Sequence, residues 1–366
     1  MQVSRLELRD FRNYERAEVR LAAGLTVICG PNGAGKTNLL EGIYFGCTGR
    51  SPRTSNEREL IRRGASVTRV TLDVEDQTER HRLEVGFEPG AQKRVSLDGS
   101  SVEGAPGAES RPLVSVFMPE RLELVKGAPS ARRAHLDRFV AALWPSRAET
   151  RAAYSRALAQ RNALLARLRA GASSRAALAA WDAELARHGT QLMEDRREAV
   201  DGLRPEFAGL AARLGLPADA ELRYRPRSVA TSAEELTAEL GERHGADLER
   251  GFTAHGPHRD ELQLLLAGSS LRSYGSQGQQ RVALLALLFS ERALLEERRG
   301  RPPLMLLDDV MSELDAERRD LLAGLLASGG QAVVTATEPE HVPGPPPGRV
   351  EVTDGQVVRS LDSVAA

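Results

Sequence analysis

An eight-residue glycine-rich segment constrains the fold of this chain more than any other feature. It reads Gly-Pro-Asn-Gly-Ala-Gly-Lys-Thr over residues 30–37 and follows the short apolar run Leu25 to Cys29. The apolar run predicts a buried, central parallel strand. An amphipathic helix is expected to follow the glycine-rich segment and to end at about Cys47. A strand, a G-x-x-x-x-G-K-[ST] loop and a helix in this order are typical of a phosphate-binding loop.

The residue types of this loop suit the binding of a nucleotide. Glycines let backbone N–H groups close around phosphate oxygens, and the positive end of the following helix points at the same anion. Lys36 is expected to reach the β- and γ-phosphates, and the Thr37 hydroxyl is expected to coordinate Mg²⁺. We therefore predict ATP and Mg²⁺ as ligands, with the nucleotide contacted by Gly30, Pro31, Asn32, Gly33, Ala34, Gly35, Lys36 and Thr37.

A second apolar run ends in two acids. Leu304 to Leu307 predicts a buried strand, and Asp308 and Asp309 follow it directly. Behind a phosphate-binding loop, the first acid is expected to hold Mg²⁺ through its water shell. The second acid is expected near the γ-phosphate, where it could orient the attacking water. The Asp309 side chain is one methylene shorter than the glutamate that is usual at this position, so the identity of the general base stays open.

Residues 273–281, Ser-Tyr-Gly-Ser-Gln-Gly-Gln-Gln-Arg, precede a long apolar helix. They resemble the signature motif of ABC-type ATPases, which has a Ser-x-Gly-Gln core. The resemblance implies that Ser276, Gly278 and Gln279 lie at a helix start and bind the γ-phosphate of ATP held by the opposite subunit. The alternative is a polar loop in which Ser276 only caps the helix. The position of the motif between the phosphate-binding loop and the acidic strand favours the signature.

Strands alternate with helices at both ends of the chain, which predicts an α/β fold with a layered, mostly parallel sheet. Alanine, leucine and arginine dominate from about residue 119, with apolar residues at helical spacing. We therefore predict an ABC-type P-loop ATPase lobe from residues 1–118 and 251–366. An all-helical lobe, residues 119–250, is inserted between the early strands and the signature motif.

Two subclasses of ABC-type ATPase compete. Transporter motor subunits usually carry a glutamine after an early strand and a histidine after the strand that follows the paired acids. Residues 117–120 read Phe-Met-Pro-Glu and residues 333–338 read Val-Val-Thr-Ala-Thr-Glu, so both are missing. The sequence therefore favours a DNA-associated, SMC-like ATPase. A transporter motor, another SMC-like DNA ATPase and a metabolic P-loop kinase remain as alternatives.

Several stretches resemble the RecF family of SMC-like ATPases specifically. They span residues 8–14, 49–54, 119–127, 132–137, 160–165 and 256–262. The resemblance implies a weak, DNA-stimulated ATPase of recombinational repair and replication restart that acts as a switch. An ATP-induced homodimer would clamp double-stranded DNA at single-strand gaps and ss/ds junctions, and slow hydrolysis would release it. The implied partners are RecR and RecO, with help in loading RecA.

Positive charge is concentrated locally in a chain whose formal net charge is -1. Between residues 132 and 175 there are ten arginines and two acidic residues, an excess of eight positive charges (10 − 2). Such an excess suits a helical surface laid along phosphates, although each single arginine is better explained as a solvated side chain. The candidate DNA contacts are Arg50, Arg53, Arg132, Arg133, Arg147, Arg151 and Arg161.

Composition limits the remaining possibilities. The two cysteines, Cys29 and Cys47, form no CxxC pair and are too few for a disulfide framework or a zinc site, which predicts buried, reduced thiols. The longest apolar run, Val282 to Phe289, is shorter than the ~20 residues that a membrane span needs. We therefore expect a cytoplasmic protein without a membrane partner.

Overall fold

The computed structural model describes residues 1–76, 79–102, 111–171, 176–217, 219–343 and 348–361. The chain forms two compact units. The first unit comprises Met1–Leu122 and Leu295–Ala366, and the second unit comprises Glu123–Leu294. The predicted boundary at residue 250 therefore differs from the observed one, because residues 251–294 group with the second unit.

The strands of the described residues are, in chain order, β1 (Gln2–Phe11), β2 (Tyr14–Arg20), β3 (Leu25–Cys29), β4 (Thr68–Glu75), β5 (Arg80–Phe87), β6 (Arg94–Leu97), β7 (Ser100–Ser101), β8 (Val114–Phe117), β9 (Ala220–Arg225), β10 (Glu261–Leu266), β11 (Ser269–Ser270), β12 (Leu304–Leu307), β13 (Ala332–Ala336), β14 (Gly348–Thr353) and β15 (Gln356–Leu361). The α-helices are α1 (Lys36–Thr48), α2 (Glu123–Lys126), α3 (Pro129–Leu143), α4 (Ala148–Arg169), α5 (Ala176–Arg213), α6 (Ala233–Glu242), α7 (His244–Arg250), α8 (Leu271–Tyr274), α9 (Gln277–Arg299) and α10 (Ala316–Ala327).

The first unit contains a mostly parallel sheet with the strand order β15-β14-β3-β13-β12-β8. Strands β3, β12 and β13 are buried along their whole length, which explains why their sequences are apolar without alternation. β13 lies between β3 and β12 and pairs in parallel with both. The carboxyl ends of these three strands therefore meet at one edge of the sheet.

A second, antiparallel sheet of the first unit has the order β2-β1-β4-β5-β6-β7. One hydrophobic core includes side chains from this sheet, from α1 and from the mostly parallel sheet. Helix α1 approaches the antiparallel sheet closely at Gly42 and Gly46, which lie one turn apart. A Cβ atom on Gly46 would lie 2.7 Å from Cδ1 and Cγ of Leu72. The absence of a side chain here lets the helix after the phosphate-binding loop pack against the sheet.

The second unit is mainly helical, but it also contains a three-stranded antiparallel sheet of order β11-β10-β9. The prediction of an all-helical insertion is therefore wrong for residues 220–225. These residues, Ala-Glu-Leu-Arg-Tyr-Arg, alternate between apolar and polar side chains, and their burial alternates in the same way. β9 pairs with β10 from Glu261 to Leu266, and this pairing draws the segment predicted for the ATPase lobe into the second unit.

Two compositional expectations can be compared with the described residues. Cys29 and Cys47 are both buried, and burial raises the pKa of the Cys47 thiol to about 12. In the part of the chain that the structure describes, none of the helices combines the length and apolar character needed to cross a membrane.

The close packing of α1 gives a test of the fold. We expect Gly46→Val to lower the free energy of unfolding by about 2–3 kcal/mol, because the added carbons meet the packed Leu72 side chain. Gly324→Val in α10 is the matched control, since a Cβ atom there meets nothing within 4 Å. The control should change stability by about 0.5 kcal/mol or less. Urea unfolding of both variants measures the difference, and equal losses would contradict this account of the α1 packing.

Candidate nucleotide site

The candidate site lies where β3, β13 and β12 end. The Thr37 hydroxyl, in the first turn of α1, lies 2.9 Å from both carboxylate oxygens of Asp308, which follows β12. The Thr335 hydroxyl on β13 donates to Oδ1 of the same carboxylate at 2.7 Å. Thr335 is 27 positions and Thr37 is 271 positions away from Asp308 in the sequence, and both meet at its carboxyl group.

Asp308 is buried, with 7% of the residue exposed. Burial raises its pKa, while the hydrogen bonds from Thr335 and Thr37 act in the opposite direction. Its backbone N–H donates to the Phe117 carbonyl at the end of β8. The neighbouring strands therefore fix both the backbone and the side chain of this acid.

Asp309 has a backbone φ of 48°, in the left-handed region that aspartate tolerates better than most residues. Its N–H donates to the Thr335 hydroxyl at 2.9 Å, and its carbonyl accepts from the Ser312 hydroxyl. Thr335 therefore holds the side chain of one acid and the backbone of the other, so the two acids are positioned together.

The phosphate-binding loop connects β3 to α1. The Lys36 ammonium donates to the carbonyls of Gly30 at 2.7 Å and Pro31 at 3.0 Å. Burial lowers the pKa of Lys36, and the charges of Asp309 and Asp308 oppose that shift. Gly30 is required by close packing, because a Cβ atom there would lie 2.1 Å from the Val352 carbonyl oxygen of β14.

The middle of the loop faces solvent, whereas its end is held by hydrogen bonds from side chains of the β1–β2 hairpin. Pro31, Asn32 and Gly33 are exposed. The Tyr14 hydroxyl donates to the Gly35 carbonyl at 3.1 Å, and the Asn13 amide donates to the Ala34 carbonyl at 3.3 Å. Burial raises the pKa of Tyr14, so this phenol stays a donor. The loop is thus held from the β1–β2 hairpin with its tip accessible to a ligand.

A buried carboxylate fixes α1 from the other side. Glu41 is fully buried, and Arg12 binds it bidentately at 2.7 and 2.8 Å. The Ser51 hydroxyl donates to it at 2.5 Å and the Arg53 guanidinium at 3.1 Å. Arg53 also contacts Glu120. Since breaking a buried ion pair leaves an uncompensated charge, this cluster keeps α1 in register with the loop.

The residues of the signature-like motif lie in the second unit, at the start of α9. The Ser276 hydroxyl accepts from the Gln279 N–H at 3.2 Å, and the Gln279 side chain accepts from the Ser276 N–H at 2.9 Å. This reciprocal pair is a capping box. Ser276 and Gly278 are exposed. The capping alternative is therefore correct as a description of the local structure, and the exposure leaves the helix start open to an anion.

Two of the arginines predicted to contact DNA are buried, so their assignment is wrong. Arg161 is fully buried and bonds to Asp182, Asp247 and Thr253. Arg132 is 4% exposed and binds Glu261. A buried, paired guanidinium cannot reach a phosphate without leaving its carboxylate uncompensated. Charge counting along the sequence cannot distinguish such ion pairs from a charged surface.

The other predicted DNA contacts differ in exposure. Arg133 is half-buried and donates to the Asp260 backbone carbonyl. Arg53 is paired with Glu41 and Glu120. Arg147 binds Asp195 and Glu198. Arg151 binds Asp137 through a partly exposed side chain, and Arg50 is exposed. Arg175, which contributed to the predicted excess of charge, lies outside the described residues.

The sequence reasoning missed Thr335 as a site residue. Residues 333–338, which contain Thr335, were used only to show that the histidine of transporter subunits is missing there. A threonine in the next-to-last position of an otherwise apolar strand was a usable signal, since a fully buried hydroxyl needs a hydrogen-bond partner. Asn13 and Tyr14 lie in a stretch that resembles the RecF family, but no role was predicted for either side chain.

The residues present fit ATP and Mg²⁺. Hydroxyl and carboxylate oxygens are the ligands that Mg²⁺ prefers, and Thr37 and Asp308 supply both within 2.9 Å of each other. The first turn of α1 contains no acidic residue, so the positive end of that helix remains suited to phosphate oxygens. Lys36 would hold phosphate, and Thr37 and Asp308 would hold the cation.

A phosphate-binding loop at the central strand, an acidic strand end beside it and a signature-like helix start in a second unit define an ABC-type ATPase head. The description of the matching family model is "RecF/RecN/SMC N terminal domain", and the match covers residues 2–344. DNA replication and repair protein RecF of Streptomyces avermitilis is 37% identical to this chain, with 98% of this chain and 100% of the relative covered. The RecF protein of Anaeromyxobacter sp. is 40% identical, with 92% and 93% covered. The chain belongs to the RecF family.

Solved structures agree with this assignment. The chain is similar to the structure of the recombination mediator protein RecF-ATP in the RecFOR pathway, with a TM-score of 0.87 and 28% identity. That match covers 98% of this chain and 97% of the other. The Smc head domain of Pyrococcus furiosus matches with a TM-score of 0.58 at 18% identity, which shows a shared fold. The predicted family and its ABC-type α/β fold are thereby confirmed.

The shared contact of Thr335 gives a test of the site. We expect Thr335→Val to lower the turnover number for ATP about tenfold or more, because both acids lose the hydroxyl that positions them. Thr26→Val on β3 is the matched control. Thr26 is also fully buried, and its hydroxyl accepts from the Ala22 N–H. Both variants should lose about 1–2 kcal/mol of stability, and only Thr335→Val should lose turnover. Equal turnover in the two variants would contradict the positioning role.

Proposed function

We propose that this protein is an ATP-dependent DNA clamp of recombinational repair and replication restart. Two chains bind two ATP molecules between them, and the closed dimer holds double-stranded DNA. Slow hydrolysis reopens the dimer and releases the DNA. Because ATP binds the closed state more tightly than the open state, nucleotide binding supplies the free energy for closure.

The contact of Thr37, Asp308 and Thr335 is the observation that carries this proposal. It places a hydroxyl of the phosphate-binding loop against a buried carboxylate, which brings together two kinds of oxygen ligand that Mg²⁺ prefers. In such a site, Mg²⁺ neutralises charge on the β- and γ-phosphates. Lys36 binds the phosphates, and Asp309 orients the attacking water.

The exposed start of α9 supports the part of the proposal that concerns dimerisation. A helix of 23 residues begins at Gln277, and Ser276 and Gly278 at its start face solvent. Backbone N–H groups at such a helix start bind phosphate oxygens. In the proposed head-to-tail dimer, Ser276, Gly278 and Gln279 of one chain contact the γ-phosphate bound by Lys36 of the other.

The DNA surface is proposed to lie on the exposed arginines of α3 and α4. Arg138, Arg156 and Arg167 are exposed and make no ion pair among the described residues. Arg156 and Arg167 are eleven positions apart, about three helical turns, and therefore lie on the same face of α4. They replace the buried Arg132 and Arg161 as candidate contacts of the second unit, together with Arg151, and Arg50 stays a separate candidate of the first unit. Such contacts would read the DNA backbone rather than its sequence.

The cellular role is proposed from the relatives. Two solved relatives are described as the recombination mediator protein RecF in the RecFOR pathway. We infer that this chain acts at single-strand gaps and ss/ds junctions, cooperates with RecR and RecO, and helps to load RecA.

The signature assignment is tested by a substitution that blocks the phosphate contact. We expect Ser276→Arg to abolish ATP-induced dimerisation and to leave ATP binding by the monomer within about twofold. Lys36→Ala should instead weaken ATP binding itself about tenfold or more, because it removes a charge-assisted contact. Light scattering measures dimerisation, and titration with labelled ATP measures binding.

Ser232→Arg is the matched control for the lost helix cap. The Ser232 hydroxyl caps α6 and accepts from the Glu235 N–H, as Ser276 does for α9. Both substitutions remove a cap worth about 1 kcal/mol. The Ser232→Arg variant should still dimerise with ATP. Dimerisation by Ser276→Arg would exclude the role of the signature residues.

DNA binding is tested by the fluorescence anisotropy of a labelled duplex at several salt concentrations, with and without ATP and Mg²⁺. We expect affinity to rise with ATP and to fall steeply with salt. The double substitution Arg156→Ala and Arg167→Ala should lower affinity and reduce the salt slope by about 2, one for each lost phosphate contact. Arg187→Ala is the control, because Arg187 is exposed but paired with Glu184. If no condition gives binding, the DNA function is excluded and the ATPase site remains.

A further inference from the structure

The second unit contains a cleft that the proposed function does not use. It has a volume of about 350 Å³ and lies beside α7 and the segment that follows it. Four arginines, one aromatic ring and one histidine line it, namely Arg227, Arg243, Arg250, Arg259, Phe252 and His255. We call it the arginine cleft. It shares no residue with the phosphate-binding loop or with α9.

The arginine cleft carries an excess of positive charge. Its four arginines are exposed, and none forms an ion pair with another described residue. Asp247 supplies the carboxylate among the lining residues, but it is fully buried and already bonded to Arg161 and the Ala254 N–H. Four guanidinium groups around one concavity repel one another, so an anion of matching size would stabilise the arrangement.

One of the residues that line the arginine cleft, His255, has a buried polar atom that lacks a partner. His255 is 4% exposed and its Nε2 atom bonds to Glu239. Its Nδ1 atom has no hydrogen-bond partner among the described residues. A buried polar atom without a partner costs free energy unless a ligand or water satisfies it. The unpartnered Nδ1 atom thus adds a polar group to the surroundings of the four arginines.

Phe252 gives the arginine cleft an aromatic surface. It is 42% exposed, unusual for a phenylalanine, and the Arg259 guanidinium lies 5.7 Å from its ring centroid. An exposed aromatic ring beside an arginine is a stacking platform for a nucleobase. The cleft therefore offers a charged region and a stacking region within one small volume.

Buried contacts hold the segment that forms the cleft. Arg161 donates to the Thr253 hydroxyl at 2.7 Å and to Asp247 at 2.8 Å. The Asn162 side chain accepts from both the N–H and the hydroxyl of Thr253. Arg161 and Asn162 thus fix the backbone between Phe252 and His255. A cleft fixed before its ligand arrives loses less conformational entropy on binding.

We propose that the arginine cleft binds a nucleoside phosphomonoester, either a free mononucleotide or the 5′-phosphorylated end of a DNA strand. A phosphomonoester carries about −1.5 to −2 charges and three terminal oxygens, more than a phosphodiester offers to converging arginines. Arg227, Arg243 and Arg250 bind the phosphate, with His255 behind them. Phe252 and Arg259 bind the base.

The proposal is tested by calorimetric titration of the full chain carrying Lys36→Ala, which weakens binding through the phosphate-binding loop. The ligands are dAMP, deoxyadenosine and inorganic phosphate. We expect dAMP to bind, inorganic phosphate to bind more weakly, and deoxyadenosine not to bind. The added substitutions Arg243→Ala and Arg250→Ala should each weaken dAMP about tenfold or more. Phe252→Ala should weaken dAMP by about five- to a hundredfold and leave phosphate unchanged.

Arg223→Ala is the matched control, because Arg223 is an exposed arginine of the same unit that is paired with Glu221 and does not line the cleft. It should leave the affinity for dAMP unchanged. The proposal is overturned if dAMP fails to bind, or if the Arg243 and Arg250 variants bind it as tightly as the control. These results do not depend on dimerisation or on duplex binding, so they separate this proposal from the proposed function.

A further pair of ligands distinguishes the two sources of the phosphomonoester. A short single-stranded DNA with a 5′-phosphate is compared with the same strand carrying a 5′-hydroxyl. A gain of tenfold or more for the phosphorylated strand, lost in Arg250→Ala, identifies a strand end as the occupant. Binding of dAMP without such a gain identifies a free nucleotide. Both outcomes support the cleft as a phosphomonoester site.

Discussion

The Asp308 carboxylate is the group on which the arrangement of the site depends. A buried carboxylate is costly unless hydrogen bonds compensate it, and the hydroxyls of Thr37 and Thr335 provide that compensation. Satisfying this one group joins the first turn of α1 to two neighbouring strands. Thr335 also binds the N–H of Asp309, so the position of the second acid follows from the first. The relative positions of Thr37 and the two acids in the candidate nucleotide site thus depend on one buried carboxylate.

Much of this site could be predicted from the sequence because its parts are contiguous. The loop of residues 30–37 and the acidic strand end each carry their pattern within ten residues. The contact of Thr335 with Asp308 could not be predicted in this way, because it depends on β13 lying between β3 and β12. The strand β9 was missed for a similar reason. Its alternation covers only six residues in a long block of helical composition.

The arginines of the second unit show where sequence patterns mislead. An excess of positive charge over residues 132–175 indicated a DNA surface, but Arg161 lies in the core of the unit. Its partners, Asp182 and Asp247, are distant in the sequence, so a local count of charges cannot include them. Meanwhile four arginines spread from residue 227 to residue 259 come together around one cleft. Folding therefore buries Arg132 and Arg161 of the apparent cluster and brings four other arginines together.

The capping box at the start of α9 has a consequence for chemical selectivity. The Ser276 oxygen already accepts a hydrogen bond from Gln279, so it is occupied as an acceptor from the helix side. The hydroxyl proton and the first N–H groups of the helix can then serve only as donors to whatever approaches. The Ser276 oxygen keeps a second lone pair that can accept a hydrogen bond, but the hydroxyl proton and the first N–H groups of the helix supply more donors than this one acceptor. The cap therefore leaves more hydrogen-bond donors than acceptors at the helix start, which favours oxyanions before any charged side chain takes part.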